Sequence, residues 1–221
     1  MLVFVHGGGF VGGDKGGPGR PLYDNIGRFA LESGFIGVNI TYRLAPQHPW
    51  PSGGEDVARS LSFLRDEIGS YGGDVDRIAL FGHSAGAAHV ATFLASPDLV
   101  ATTPKLRAAV LSSGIYDPST LQDEPYESYF GCDASMRATR SAVRGLADSD
   151  VELLLVVAQF DPPDFHRQAA DATAAYIRVH DHLPGFVLGF GHNHFSSPAH
   201  YGTVDGELSS LVARFMNRTC R

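Results

Sequence analysis

The pentapeptide Gly82-His83-Ser84-Ala85-Gly86 follows the strand-like run Arg77–Phe81 and opens a stretch of small residues that ends near Ala95. That placement constrains the fold more than any other feature of the chain. Glycines two positions before and after a serine suit a turn so sharp that side chains there would collide with neighbouring elements. The serine then takes a strained backbone conformation, and its hydroxyl stands clear of the sheet. The helix that follows turns its free N–H groups and the positive end of its dipole towards that hydroxyl. A chain with such a turn is built from strands that feed helices, and Ser84 is its candidate nucleophile.

The rest of the chain keeps that rhythm. Strands are predicted at Leu2–Val5, Phe35–Ile40, Arg77–Phe81, Arg107–Ser112, Leu153–Ala158 and Phe186–Phe190. Helical spacing covers Leu22–Ser33, Asp56–Ile68, Ala85–Ala95, Phe165–His180 and Glu207–Asn217. The proline-rich stretch Tyr42–Ser52 reads as irregular. Strands alternating with helices imply a mainly parallel sheet with helices on both faces, the α/β class. A length of 221 residues suits a single domain, 1–221. Residues 114–149 break the alternation and carry Tyr116, Tyr126, Tyr129 and Phe130; they read as a short lid insertion. Met1 is followed at once by the apolar run Leu2–Val5, so the chain is expected to start inside the sheet, with N-terminal strands missing or the fold shortened. That start has no charged leader and no cleavage site, so it is not a signal peptide, and a cytoplasmic protein is expected.

A formal net charge of −7 argues against a nucleic-acid surface. No apolar run approaches the roughly 20 residues of a spanning helix, so no membrane partner is expected. The two cysteines, Cys132 and Cys220, lie outside any metal-ligand spacing, so no metal is expected.

Four further features bear on chemistry. His6-Gly7-Gly8-Gly9-Phe10 follows the first strand, in a loop His6–Pro21 with eight glycines. Consecutive glycines permit close backbone approach and aim N–H groups at a developing negative charge. A loop of this type forms half of an oxyanion hole, so Gly8 and Gly9 are candidate donors, joined by the N–H of Ala85. His6 reads as an anchor of that loop. Partners of a serine nucleophile follow in the order acid, then histidine, each just after a strand. Asp161 follows Leu153–Ala158 and is the preferred acid, with Pro162 and Pro163 fixing the backbone behind it. Asp164 competes but reads as the cap of the next helix. His192 and His194 both follow Phe186–Phe190. His194 is preferred as base because it stands farther along the loop, and His192 stays open as the alternative. His83 is expected on the substrate side of the elbow. Acyl transfer by such a set needs no metal or organic cofactor.

With these motifs in view the chain resembles the hormone-sensitive-lipase-like carboxylesterases of the α/β-hydrolase fold. His6–Phe10 is similar to that family's HGGGF, and Tyr42-Arg43-Leu44-Ala45-Pro46 to its YRLAP. Residues 82–86 are similar to its GDSAG, with His83 where aspartate is usual. The resemblance implies a carboxylesterase for small to medium esters, with Gly8, Gly9 and Ala85 as oxyanion donors. The GHSAGA form and the pair His194-Phe195 look more like kynurenine formamidase, so an N-formyl amide stays open as substrate. A hydrolase-fold binding protein without activity is the third alternative. The expected partner is a small-molecule ester, and monomer and homodimer both remain open.

Overall fold

The structure, a computed structural model, describes residues 1–17, 22–121 and 125–220. In chain order its elements are β1 (Leu2–Val5), α1 (Asp24–Glu32), β2 (Gly37–Ile40), α2 (Ser52–Glu67), β3 (Ile78–His83), α3 (Ala85–Leu94), α4 (Pro97–Val100) and β4 (Leu106–Ser112). There follow α5 (Tyr126–Phe130), α6 (Ala134–Ala138), α7 (Val143–Ala147), β5 (Glu152–Phe160), α8 (Pro163–His180), β6 (Gly185–Asn193), α9 (Ser196–Ala199) and α10 (Glu207–Thr219). The six strands form one parallel sheet in the order β2-β1-β3-β4-β5-β6.

Successive side chains of a strand point to opposite faces, and here both faces are covered. Val3, Val5, Leu80, Leu111 and Leu155 enter a core with Leu61 of α2, Val90 of α3, Leu146 of α7 and Ala172 of α8. Leu2, Phe4, Phe81, Val110 and Val156 enter a second core with Ile26 and Phe29 of α1 and Val212 and Met216 of α10. That is why β1 and β3 are apolar at nearly every position: each residue lies against one core or the other.

Several boundaries differ from the sequence expectation. Helix α2 begins at Ser52, not Asp56. Its first turn holds Gly53 and Gly54, poor helix formers, but it packs against His89 and Thr92 of α3, and that contact overrides propensity. Helix α8 begins at Pro163, since proline fits a first helical turn. Strand β6 runs on to Asn193, three residues past Phe190. In residues 114–149, Tyr116, Tyr129 and Phe130 are buried and Tyr126 is half-buried. Tyr129 stacks on Phe10 at 4.6 Å and accepts a hydrogen bond from the Gly53 N–H at 3.1 Å. Residues 122–124 of that segment, and 18–21 at the end of the glycine-rich loop, lie outside the described residues. Among the described residues no helix is long and apolar enough to cross a membrane.

Candidate active site

Strands β1, β3, β5 and β6 all deliver their C-terminal ends to the same edge of the sheet, where α/β folds collect ligands. At the end of β3, Ser84 has φ 55° and ψ −121°, a conformation that ordinary residues avoid. Two backbone bonds hold it there: its N–H donates to the Ser112 carbonyl at 2.9 Å, and its carbonyl accepts from Ala88 at 3.1 Å. A Cβ on Gly86 would lie 2.1 Å from the carbonyl oxygen of Val5. The glycine is therefore what lets α3 start against β1. Helix α3 points its N-terminus at the Ser84 hydroxyl, and Ala85 is its first residue.

The glycine loop after β1 is anchored by His6. Its Nδ1–H donates to the Gly7 carbonyl at 2.7 Å, its ring stacks on Tyr42 at 4.4 Å, and the Tyr42 hydroxyl donates to the His6 carbonyl at 3.0 Å. Gly8 has φ +147°, and a Cβ there would lie 2.0 Å from the carbonyl oxygen of Gly12. The turn closes through the Gly12 N–H donating to the Gly8 carbonyl at 3.0 Å.

Asp161 follows β5 and is buried. Its Oδ2 accepts from the Ser113 hydroxyl at 2.6 Å and from the Ala158 N–H at 2.8 Å; its Oδ1 accepts from His194 Nδ1 at 2.8 Å. Burial alone would raise the carboxyl's pKa, but the hydrogen bonds from His194, Ser113 and Ala158 together outweigh it and hold the group below its ordinary value. A carboxylate only accepts, so Nδ1 of His194 carries the proton. Nε2 of His194 is then the acceptor, and it lies 2.9 Å from the Ser84 hydroxyl oxygen. The turn that carries His194 is fixed by Asn193, whose side-chain oxygen accepts from the N–H groups of Phe195 and Ser196 at 3.0 and 2.9 Å. Phe165 of α8 lies against the His194 ring, with centroids 4.4 Å apart.

The structure thus brings Ser84, His194 and Asp161 into one hydrogen-bonded line. His192 is not part of it. It sits within β6, its Nε2 3.5 Å from Asp205 and its ring 4.7 Å from that of His200. The extra length of β6 keeps His192 in the strand, while His194 stands in the turn beyond Asn193. Asp164 makes no capping hydrogen bond; it lies inside the first turn of α8 and pairs with Arg167 at 2.6 Å. His83 does not face a substrate. It is buried behind Ser84, between Tyr23 and the backbone of His194. Sequence reasoning missed Ser113 and Tyr23. The signal at Ser113 was a small polar residue just past the end of β4, where it takes φ 48° and turns its hydroxyl to Asp161.

Residues 2–179 match the family described as alpha/beta hydrolase fold. The chain is 35% identical over 131 residues to a probable carboxylic ester hydrolase, LipM, of Mycobacterium tuberculosis, a match that covers 56% of this chain and 29% of that protein. It is 38% identical over 87 residues to the carboxylesterase NlhH of the same organism, covering 39% of this chain and 26% of the relative. The chain thus spans less than a third of the length of these relatives. Among solved structures, a truncated carbohydrate esterase from gut microbiota superposes with a TM-score of 0.82 at 17% identity, covering 99% of this chain and 85% of that one. At that identity the likeness is one of fold alone.

Proposed function

The chain belongs to the alpha/beta hydrolase fold family, and on that premise we propose that it is a serine carboxylesterase acting on small to medium carboxylic esters. The observation that carries the reading is the line Asp161–His194–Ser84, with contacts of 2.8 and 2.9 Å. The esterase names of its relatives support it. Ser84 Oγ attacks the acyl carbon while its proton passes to His194 Nε2. The charge that develops on the carbonyl oxygen is met by the N–H groups of Gly8, Gly9 and Ala85. The tetrahedral adduct collapses, the bond to the alcohol oxygen breaks, and His194 returns the proton to that oxygen. Water then attacks the acyl-enzyme, giving its proton to His194, and Ser84 is regenerated with release of the acid. Asp161 keeps His194 in the tautomer that can accept from Ser84 and stabilises the imidazolium in between.

Residues 114–149 act in this reading as a lid. Support comes from Pro125, whose Cγ lies 3.1 Å from where a Cβ of Gly9 would stand and so lies against the glycine loop. The cytoplasmic setting expected from sequence belongs to the same proposal, and sedimentation of the purified chain decides between the monomer and the homodimer that the sequence leaves open.

Two experiments bear on the reading. The purified chain is expected to turn over p-nitrophenyl acetate with a kcat/KM at least about tenfold above that for N-formylkynurenine. The reverse order would replace the ester by the formamide. Gly8→Ala is expected to lower kcat by about 100-fold, the usual effect of losing one oxyanion donor, because the new Cβ forces the loop off the Gly12 carbonyl. Wild-type kcat in that variant would remove the glycine loop from the mechanism.

A further inference from the structure

We propose that His83 is a positioning residue that ties the loop of the base His194 to the nucleophile turn, with Tyr23 fixing its tautomer. The proposal rests on the esterase reading and concerns how the same site is held in register.

His83 is 1% exposed and directly precedes Ser84. Its Nε2 lies 3.0 Å from the backbone carbonyl of His194, and its Nδ1 lies 3.1 Å from the Tyr23 hydroxyl. A carbonyl can only accept, so Nε2 carries a hydrogen. Burial first, and repulsion by His194 second, hold the His83 pKa at about 3 against the opposite pull of Asp161 and of the bond to the His194 carbonyl. The ring is therefore neutral, its Nδ1 is a bare acceptor, and the Tyr23 hydroxyl must donate to it. Burial raises the Tyr23 hydroxyl to about 12, with the Gly7 backbone acting on the same group in the other direction. The Tyr23 hydroxyl also packs against the glycine loop, 2.7 Å from where a Cβ of Gly7 would stand, so contacts run from that loop through Tyr23 and His83 to the base loop. The three loops that present Gly8, Ser84 and His194 meet at one buried point.

The identity of the residue matters for the chemistry. His194 turns cationic during each turnover, and its ring centroid is only 4.9 Å from that of His83. A donor that stays uncharged can hold the His194 backbone without opposing that charge. A carboxylate at this position could not donate to the carbonyl at all. The histidine therefore serves here where the GDSAG form would not.

The test uses His83→Leu, His83→Gln and Tyr23→Phe in the intact chain. Leucine removes both hydrogen bonds and leaves the His194 carbonyl without its donor, so kcat should fall roughly 10- to 100-fold while KM stays within about twofold. Labelling of Ser84 by a fluorophosphonate should slow in parallel, and this reads the Ser84–His194 pair without any ester. Glutamine offers an N–H to the carbonyl and an oxygen to Tyr23, so it should recover most of the lost rate. Tyr23→Phe should lower kcat roughly threefold to tenfold. It should also turn the single Nε2–H tautomer of His83, read from its 15N shifts, into a mixture. A folded His83→Leu with wild-type kcat, or a glutamine no better than leucine, overturns the proposal. If His83→Leu does not fold, Tyr23→Phe decides: unchanged kcat with an unchanged tautomer overturns it, and loss of both supports it. A wild-type chain that binds the fluorophosphonate but cleaves no ester would instead overturn the esterase reading, leaving the labelling rates and 15N shifts to judge His83.

Discussion

Alanine at Ser84, or alanine at His194, is expected to lower kcat for ester hydrolysis by about 10⁶-fold, and the double variant should lose little more. The non-additivity follows from the contact itself. The 2.9 Å hydrogen bond from the Ser84 hydroxyl to His194 Nε2 makes the two groups one device: a hydroxyl without its base is a weak nucleophile, and a base without the hydroxyl has nothing to activate. Asp161→Asn should cost about 10⁴-fold. The amide can offer an N–H to Nδ1 and so favours the tautomer that points a hydrogen at Ser84. In addition, the charge that offsets the imidazolium is gone. His192→Ala is the control that separates the two candidate histidines. Its ring lies against His200 and Asp205, so kcat should stay within about threefold of wild type. Steady-state rates with p-nitrophenyl acetate, on variants with an unchanged thermal midpoint, measure all five. A His194→Ala variant that kept as much as about a hundredth of the wild-type kcat would sink the assignment. So would a His192→Ala variant that lost its rate.

The parts of the site that were legible in sequence are those whose constraint is local. The elbow shows itself because a helix starting against β1 leaves no room for a Cβ at Gly86, and the glycine loop because Gly8 meets the carbonyl of Gly12 four residues on. Asp161 could be found because an acid just past a strand end is all that the chain order demands. The same rule could not choose cleanly between His192 and His194, since the choice depends on where β6 stops. That strand pairs with β5 as far as Phe160 and Asn193, across an irregularity in register, and no residue type in Gly189–Asn193 announces the extension. The start of α2 was hidden for a related reason: its glycines argue against a helix, and only packing on α3 makes one. Ser113 and Tyr23 lay beyond reach altogether. Their partners, Asp161 and His83, are 48 and 60 residues away in the chain, and a pattern in a short window cannot carry such pairings. The covered faces of the sheet, by contrast, were written into the apolar strands themselves.

Acidification from pH 7 to pH 5 is expected to remove about 4 kcal/mol of stability, most of it through two histidines that the fold keeps neutral. Burial, with His194 beside His83 and His6 beside His89, lowers both folded-state values to about 3, against the weaker opposing pull of Asp161 on the first and Asp56 on the second. In the unfolded chain each titrates near its ordinary 6.5. Between those limits the unfolded state binds protons that the folded state refuses, so stability falls as pH falls, by about 1.4 kcal/mol per unit for each group. Protonation in place is opposed at both sites: a charge on His83 would face His194, and both ring nitrogens of His89 lack hydrogen-bond partners among Phe10, Tyr42 and Tyr129. Asp161 acts in a separate window. Its folded value lies below the ordinary carboxylate range, so its contribution is present above about pH 4 and is lost only as pH drops further. A typical domain is stable by only about 5–15 kcal/mol, so the histidine term alone takes a large share of the margin at pH 5. Urea midpoints at pH 7, 6 and 5 read the slope. His89→Leu sharpens the test: it removes a buried, unpartnered polar ring, so stability at pH 7 should change little or rise, while the dependence on pH should fall by about half. Midpoints that stay level from pH 7 to pH 5, or a His89→Leu slope equal to that of the wild type, would show that these rings are protonated within the folded chain and that its interior is more open to charge than the packing of Phe10, Tyr42 and Tyr129 around His89 allows.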